Sequence, residues 1–163
     1  MKTTWDDTLS SAVTVGKHYI NSVFTTGSED KFYTNNPATQ EVIGVIPQAD
    51  ISDVESVYHF ARDSFYGWRE YSRIRRAEYF LKLASLIEER KEEIARLITL
   101  ETGKVYNESI AEVNEALHMA QYAFSTGRMP YGEAIASELP EKDAFMLRKP
   151  KGVVAIIAPF NFP

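Results

Sequence analysis

The side chain best placed for chemistry is Asn161, near the end of the sequence. It lies in the segment Pro159-Phe160-Asn161-Phe162-Pro163, directly after the continuously apolar run 153–158. Such a run is typical of a strand covered on both faces of a parallel sheet, and ligands of α/β proteins bind beyond the carboxyl ends of such strands. An uncharged amide donor at that position predicts a ligand site. The alternative interpretation is a loop in which Asn161 only caps a turn.

A possible metal-ligand pair is formed by Glu115 and His118, which have the spacing found in metal-binding helical bundles. Those sites need a second copy of the pair and two further glutamates. At the helical rotation, Glu115 points about 140° away from Ile110 on the apolar face. The sequence therefore predicts solvent-exposed side chains here and no metal site.

Two glycine motifs of phosphate-binding loops are incomplete or missing in this sequence. Gly127 and Gly132 have the glycine spacing of a P-loop, but Glu133 stands where that loop needs a lysine. The glycine pattern of the common dinucleotide-binding turn is also missing from the sequence. Neither pattern predicts phosphate binding.

The composition is that of a globular protein, and it excludes several classes of function. The 163 residues are 44% hydrophobic and 25% charged, with a net charge of −5. This charge gives no basic surface for a phosphate backbone, so no nucleic-acid partner is predicted. Because the chain contains no cysteine, it supplies neither a thiol nucleophile nor a Cys-based metal site.

The N-terminal residues predict a cytoplasmic location. Asp6 and Asp7 stand where a signal or transit peptide would have basic residues and an apolar run. The longest uncharged stretch, 152–163, is shorter than the about 18 apolar residues that a spanning helix needs. No membrane partner is predicted.

The first fifty residues favour extended structure. Residues 18–24 and 31–34 are β-favouring runs separated by a polar, glycine-containing segment, which predicts a hairpin between them. Asn36 and Pro37 begin a turn, and residues 41–46 predict a further strand that ends at Pro47.

Four helices follow. A capping-box pattern at Ser52 and Glu55 predicts the first helix start, and glycines at 103 and 127 predict the ends of the third and fourth. Charges of mixed sign at 88–93 predict a solvated corner between the second and third. The predicted apolar faces are Val54, Val57, Tyr58, Ala61, Phe65 and Trp68 in the first helix; Ala77, Phe80, Leu81, Ala84 and Ile87 in the second; Ile94, Leu97 and Ile98 in the third; and Ile110, Val113, Leu117, Ala120 and Phe124 in the fourth.

The end of the sequence predicts an unfinished core. Residues 131–139 favour a loop or extended chain, and residues 144–149 a strand. The run 153–158 needs neighbouring strands and covering helices, yet only five residues follow it. The chain therefore has the pattern of an α/β protein that is apparently truncated.

Several segments together resemble the aldehyde dehydrogenase superfamily. The segment 152–163 is similar to the one that ends in Pro-Trp/Phe-Asn-Phe-Pro in that family, and 36–44 resembles an early turn of the family, with Gln40 in place of the usual glycine. The remaining landmarks, which fall in the family's order and spacing, are Trp68, Arg76, Leu100-Glu101-Thr102-Gly103-Lys104 and Glu112. The resemblance extends over about residues 18–163.

The resemblance implies an α/β fold class, namely the N-terminal part of an aldehyde dehydrogenase-like subunit. Its parts would be a β-hairpin, a helical layer and the first strand of a variant Rossmann sheet. Residues 1–129 would be the N-terminal part of the cofactor-binding domain, 130–150 the start of an oligomerisation arm, and 151–163 the first strand of the dinucleotide fold with an active-site loop. A homo-oligomer is implied as well.

The resemblance also implies the site residues. Asn161 would be the catalytic amide that holds a developing oxyanion, and the backbone around Ile157, Ala158, Pro159 and Phe160 would contact the cofactor, NAD or NADP. The substrate would be a small-molecule aldehyde, oxidised to a carboxylic acid through a thiohemiacetal. The family's catalytic Cys and Glu lie beyond residue 163, so the chain alone is expected to be inactive.

Two hypotheses about function remain open. In the first, the sequence is the N-terminal part of an NAD(P)-dependent aldehyde dehydrogenase. In the second, it is a short non-catalytic protein that acts as an interaction or oligomerisation module.

Overall fold

Five short strands precede the helices in the computed structural model, which describes residues 13–27 and 30–163. They are β1 (Thr14–Val15), β2 (His18–Ile20), β3 (Val23–Thr25), β4 (Lys31–Asn35) and β5 (Val42–Pro47). A three-stranded sheet has the order β1-β5-β4, with β1 parallel and β4 antiparallel to β5. The acidic N-terminal residues that predict a cytoplasmic location lie outside the described residues, as do two residues of the predicted hairpin loop.

The predicted pairing of residues 18–24 with 31–34 is wrong. Strands β2 and β3 instead form a hairpin of their own, in which Tyr19 lies opposite Phe24. Asn21 and Ser22 turn the chain with φ values of 50° and 64°, and two consecutive residues at positive φ are the geometry of a tight hairpin turn. Strand β4 pairs with β5 through the predicted turn at Asn36, whose N–H donates to the Glu41 carbonyl at 2.9 Å.

All four predicted helices are confirmed. They are α1 (Ile51–Glu70), α2 (Arg73–Glu89), α3 (Lys91–Thr102) and α4 (Tyr106–Ser125), and a short 3₁₀ helix, Thr126–Arg128, follows α4.

The start of α1 differs from its prediction, because Asp50 rather than Ser52 caps the helix. The Asp50 carboxylate accepts from the Asp53 N–H at 2.8 Å, and the Asp53 carboxylate accepts from the Asp50 N–H at 3.1 Å. These two bonds form the reciprocal capping box with aspartates in both positions. The Asp53 N–H and the Ser52 hydroxyl hold the pKa of Asp50 below its ordinary value.

The core lies where α2 and α3 pack against α4. Small residues of α2 and α3 lie deepest in the contact, since Ala77, Ala84 and Ala95 are at most 5% exposed. They pack with larger buried residues of α3 and α4, namely Ile98, Val113 and Leu117. Larger residues of the predicted faces, Phe80 and Leu97, are 38% and 50% exposed. Because alanines let the helix backbones approach closely, longer side chains next to them lie at the rim of the contact. The sequence therefore indicates the buried faces of α2 and α3 but not which members of each face are buried.

Helix α1 has the predicted apolar face but no buried residue. Val54 and Tyr58 on that face are 61% and 51% exposed. The described part of the chain therefore leaves the N-terminal half of this face open. Its C-terminal half is partly covered, because Trp68 contacts Tyr79 of α2 with ring centroids 5.3 Å apart.

Extended structure returns after α4. Strands β6 (Gly132–Ile135) and β7 (Ala144–Leu147) pair antiparallel, so the extended segment and the strand predicted there are confirmed. The strand predicted over 153–158 is not formed, and Ile156 and Ile157 are 85% and 95% exposed. A parallel strand needs an adjacent strand edge, and this segment pairs with none of the described strands. Its assignment to a dinucleotide fold stays a prediction.

None of the helices in the described ranges is both long and apolar enough to cross a membrane.

Candidate functional site

Asn161 makes one long-range contact that ties the terminal loop to the helical layer. Its side-chain oxygen Oδ1 accepts a hydrogen bond from Lys104 Nζ at 3.0 Å, although the two residues are 57 positions apart. This hydrogen bond is exposed to solvent. The predicted site residue is therefore placed by a side chain from the α3–α4 connection.

The end of α3 explains the position of Lys104. Gly103 ends the helix in the left-handed conformation with φ of 73°, and its N–H donates to the Thr99 carbonyl at 3.0 Å. Glycine adopts this conformation without a Cβ penalty. The next residue, Lys104, thus leaves the axis of α3 and lies beside the first two turns of α4.

A partly buried ion pair holds Lys104 in that place. Its ammonium group contacts Glu112 Oε1 on α4, and the two side chains are only 20% and 10% exposed. The second oxygen, Glu112 Oε2, is buried without a hydrogen-bond partner in the described part of the chain. Because an ion pair removed from water keeps much of its Coulomb attraction, Glu112 fixes the ammonium group and Lys104 cannot turn freely toward solvent.

The residues after Asn161 lie in a groove between α3 and α4. Phe162 adopts a left-handed backbone with φ of 53°, and with Pro163 it lines a groove of about 380 Å³. The other walls are mainly apolar, formed by Ile87, Ile94, Ile98, Glu112, Val113, Glu115, Ala116 and Met119. The loop thus contacts Lys104 on one side of the Asn161 amide, and on the other side the exposed residues Phe162 and Pro163 line the rim of this groove.

The other predicted site residues are not brought to this cluster. Ile157 and Phe160 are 95% and 82% exposed, and Ala158 and Pro159 between them are exposed as well. The backbone of 157–160 makes no hydrogen bond with the part of the chain that the structure describes. Its N–H and C=O groups are therefore open to a ligand, and the assignment of these four residues to a cofactor stays a prediction.

The pair Glu115 and His118 lies on the surface, as predicted. Glu115 Oε1 and His118 Nδ1 are 3.6 Å apart, and both side chains are 60% exposed. Within residues 13–27 and 30–163, no three His, Cys, Asp or Glu side chains are grouped as metal ligands.

Lys104 and Glu112 are functional candidates that sequence reasoning misses. The sequence places them only as landmarks in a known order. A usable pattern exists: a glycine that ends a helix, a lysine directly after it, and an acid eight residues later on the next helix. That spacing is about two helical turns, so the acid returns to the face that the lysine lies on.

Comparison with known proteins connects this geometry to one family. A sequence model described as "Aldehyde dehydrogenase family" matches residues 24–163. The methylmalonate-semialdehyde/malonate-semialdehyde dehydrogenase of Rattus norvegicus, described as acylating and mitochondrial, is 37% identical over 155 residues. The malonate-semialdehyde dehydrogenase of Bacillus velezensis is 36% identical over 148 residues.

Solved structures give the same result. Betaine aldehyde dehydrogenase from Staphylococcus aureus, in complex with NAD+, superposes with a TM-score of 0.82 at 29% identity over 90% of this chain. The 3,6-anhydro-L-galactose dehydrogenase in complex with NADP superposes with a TM-score of 0.81 at 28% identity over 91% of the chain.

The match covers only part of each of these proteins. The chain spans 29% of the length of the rat relative and 30% of the Bacillus velezensis relative. It also covers 30% of the S. aureus structure and 31% of the 3,6-anhydro-L-galactose dehydrogenase. The region that corresponds is the N-terminal portion.

Proposed function

The chain belongs to the aldehyde dehydrogenase family, and from this membership we propose that it is the N-terminal part of an NAD(P)-dependent enzyme. The proposed enzyme oxidises a small-molecule aldehyde to a carboxylic acid through a thiohemiacetal. The observation that carries the proposal is the family match over 24–163, because it includes the loop that carries Asn161.

In the proposed reaction, Asn161 stabilises negative charge on the substrate. A thiolate supplied from outside this chain attacks the aldehyde carbon, and the carbonyl oxygen becomes an oxyanion. The Asn161 amide can donate an N–H to that oxygen. A fixed donor is more effective than water here because it needs no reorientation as the charge develops.

The proposed cofactor-binding segment is the backbone of 157–160. A nicotinamide cofactor, when bound, would accept the hydride that leaves the carbon of the thiohemiacetal, and water would then hydrolyse the resulting thioester to the carboxylic acid and the free thiol. The open N–H and C=O groups of Ile157, Ala158, Pro159 and Phe160 fit such a ligand, with proline lacking the N–H. The cofactor complexes of the two solved relatives support the choice of NAD or NADP.

We propose the same division of the chain that the resemblance implies. Residues 1–129 begin the cofactor-binding domain, 130–150 begin an oligomerisation arm, and 151–163 begin the dinucleotide fold. The β6–β7 pair supports the second part, since it is separate in sequence and hydrogen bonding from the β1–β5–β4 sheet. A homo-oligomer remains part of the proposal. So does a cytoplasmic location, although the rat relative is described as mitochondrial.

The 163-residue chain alone is proposed to be inactive, because it contains no cysteine to supply the thiolate. The test has two steps. The coding sequence is read past the Pro163 codon, and the 163-residue chain and the longest product are then assayed for NAD(P)H formation with a panel of aldehydes. We expect an open frame, activity in the longer product, and no activity in the short chain above a blank without protein.

Other outcomes decide against the proposal. Aldehyde-dependent turnover by the short chain would show that the reaction does not need an external thiolate. A stop codon directly after Pro163 would favour the alternative, a short non-catalytic interaction or oligomerisation module.

A further inference from the structure

We propose that Lys104 is a positioning residue for Asn161: its ammonium group orients and polarises the Asn161 amide so that the amide's N–H bonds face the reacting oxygen. This inference rests on the proposed oxyanion role of Asn161 and adds to it a residue from the α3–α4 connection. The comparisons assign no role to Lys104 or to Glu112, and the mechanism proposed above does not use them.

The first step of the argument is the direction of the hydrogen bond. An ammonium group carries three donors and no acceptor, so Lys104 Nζ must bond to the carbonyl oxygen Oδ1 of Asn161, at 3.0 Å. If the amide were rotated by 180°, its NH₂ group would face a positive charge. Lys104 therefore selects one of the two amide orientations and turns Nδ2 away from itself.

The second step concerns what Nδ2 can then do. It makes no hydrogen bond with the described residues, so both of its N–H donors are available. A charge-assisted bond at Oδ1 draws electron density toward the oxygen, and hydrogen bonds in a chain strengthen one another. The N–H donors thus become better partners for a negative oxygen than those of an amide in water.

The third step is the support of Lys104 itself. A lysine side chain has a flexible stem of four carbons, and its ammonium group usually points toward solvent. Here it is 20% exposed and is held by Glu112, which is 10% exposed and lies on the rigid helix α4. Glu112 also balances the ammonium charge, so Lys104 acts on Asn161 mainly through the hydrogen bond.

The experiment in the chain itself is NMR with ¹⁵N-labelled asparagine. The Asn161 side-chain signal is assigned by its loss in Asn161→Ala. We expect Lys104→Met to shift that signal and Lys104→Arg, which keeps a cationic donor, to leave it closer to wild type. The matched control is Lys91→Met, since Lys91 forms an ion pair with Glu88 at 3.9 Å on the opposite end of α3; it should leave the signal in place.

A second measurement, in the longer enzyme, separates positioning from a purely structural role. We expect Lys104→Met to lower kcat about 10- to 100-fold with little change in cofactor affinity. In an Asn161→Ala background the same substitution should lower kcat less than about twofold, because residues that act through one another are not additive. Lys104→Met combined with Glu112→Gln removes both charges of the pair, and we expect it to fold and to show the same loss if the single variant does not fold.

The outcomes distinguish the two proposals. If Asn161→Ala leaves kcat unchanged, the oxyanion role of Asn161 is wrong, and the inference about Lys104 is wrong with it. If Asn161→Ala lowers kcat but Lys104→Met leaves the amide signal unchanged, or lowers kcat equally in both backgrounds, only the positioning role of Lys104 is overturned.

Discussion

Gln40 has a backbone conformation that favours glycine. Its φ is 64°, in the left-handed region where a Cβ atom approaches the following carbonyl oxygen. The turn is held by two bonds of this residue: its N–H donates to the Asn36 carbonyl at 2.7 Å, and its side-chain amide donates to the Pro37 carbonyl at 2.9 Å. The structure thus explains why glycine is usual at this position of the resembling turn.

We expect Gln40→Gly to stabilise the fold. A non-glycine residue in the left-handed region costs about 1–2 kcal/mol. Part of the gain is lost to the greater freedom of glycine in the unfolded chain and part to the loss of the exposed side-chain bond to the Pro37 carbonyl. The net increase in the free energy of unfolding should be about 0.5 kcal/mol, measured by denaturant unfolding at fixed protein concentration. Gln40→Ala is the control, since it removes the side-chain bond but keeps the Cβ, and it should not stabilise. A Gln40→Gly variant less stable than wild type would contradict the argument.

Asn161 is a second single residue with a testable role, because its side-chain amide is predicted to stabilise only the transition state. In the proposed longer enzyme we expect Asn161→Ala to lower kcat about 10²–10³-fold and to change cofactor affinity far less, since the segment 157–160 is proposed to contact the cofactor through its backbone. Single-turnover hydride transfer and cofactor binding are measured on one preparation. Asn107→Ala, at an exposed asparagine on α4, is the control.

If Asn161 only caps a turn, the result is different. Its replacement would then lower the free energy of unfolding by about 0.5–2 kcal/mol, by analogy with lost helix caps, while hydride transfer per folded molecule stays normal.

At the scale of elements, local patterns were sufficient for the helices but not for the strand pairing. The periods of three and four, together with glycines at 103 and 127, predict α1 to α4 because each helix is held by bonds within itself. The β2–β3 hairpin depends on two non-glycine residues at positive φ, Asn21 and Ser22, which composition does not reveal. The same holds for the candidate site. The Asn161 loop can be recognised as a local sequence motif, whereas its contact with Lys104 joins segments that are distant in the sequence and is not predicted by any local pattern.

The close contact between α2 and the 3₁₀ helix depends on Gly127. A Cβ added at this residue would overlap the Cβ of Ala77, a residue 5% exposed, and would lie 3.3 Å from the Arg73 carbonyl oxygen. Arg73 itself donates to the Thr126 carbonyl at 2.8 Å and to the Met129 carbonyl at 3.2 Å. The absence of a side chain at 127 therefore lets the chain leave α4 close along α2.

We expect Gly127→Ala to destabilise the chain by about 1–3 kcal/mol, as overpacking of a close contact does. The matched control is Gly67→Ala in α1, where an added Cβ would meet nothing within 4 Å; it should stabilise by about 0.5 kcal/mol through helix propensity. Melting temperatures of both variants, measured at one protein concentration, test the pair. Equal effects of the two substitutions would show that Gly127 is not a packing contact.

At the scale of the whole molecule, two of the features that expose apolar surface are helix α1 and the segment 153–160. Helix α1 has no buried residue, and the segment 153–160 presents isoleucines and a phenylalanine that are 82–95% exposed. Contiguous apolar surface of this kind is typical of surfaces that another protein segment covers. The net charge of −5 opposes association only weakly once salt screens it.

We therefore expect the purified chain to self-associate, with association that persists or increases at high salt, as apolar contacts do and charge contacts do not. Sedimentation velocity over a range of protein concentrations measures it. Deleting residues 152–163 should reduce association, because the deletion removes Ile156 and Ile157 while Phe162, already 57% exposed, covers little of the α3–α4 groove. Replacing Ile156 and Ile157 with aspartate should have the same effect at full length. The opposite result would be a whole chain that is a monomer and unfolds sharply, together with a deletion variant that aggregates. The terminal segment would then cover the helical layer more than it exposes apolar surface. In that case the interpretation of 153–158 as a strand that lacks its sheet is wrong.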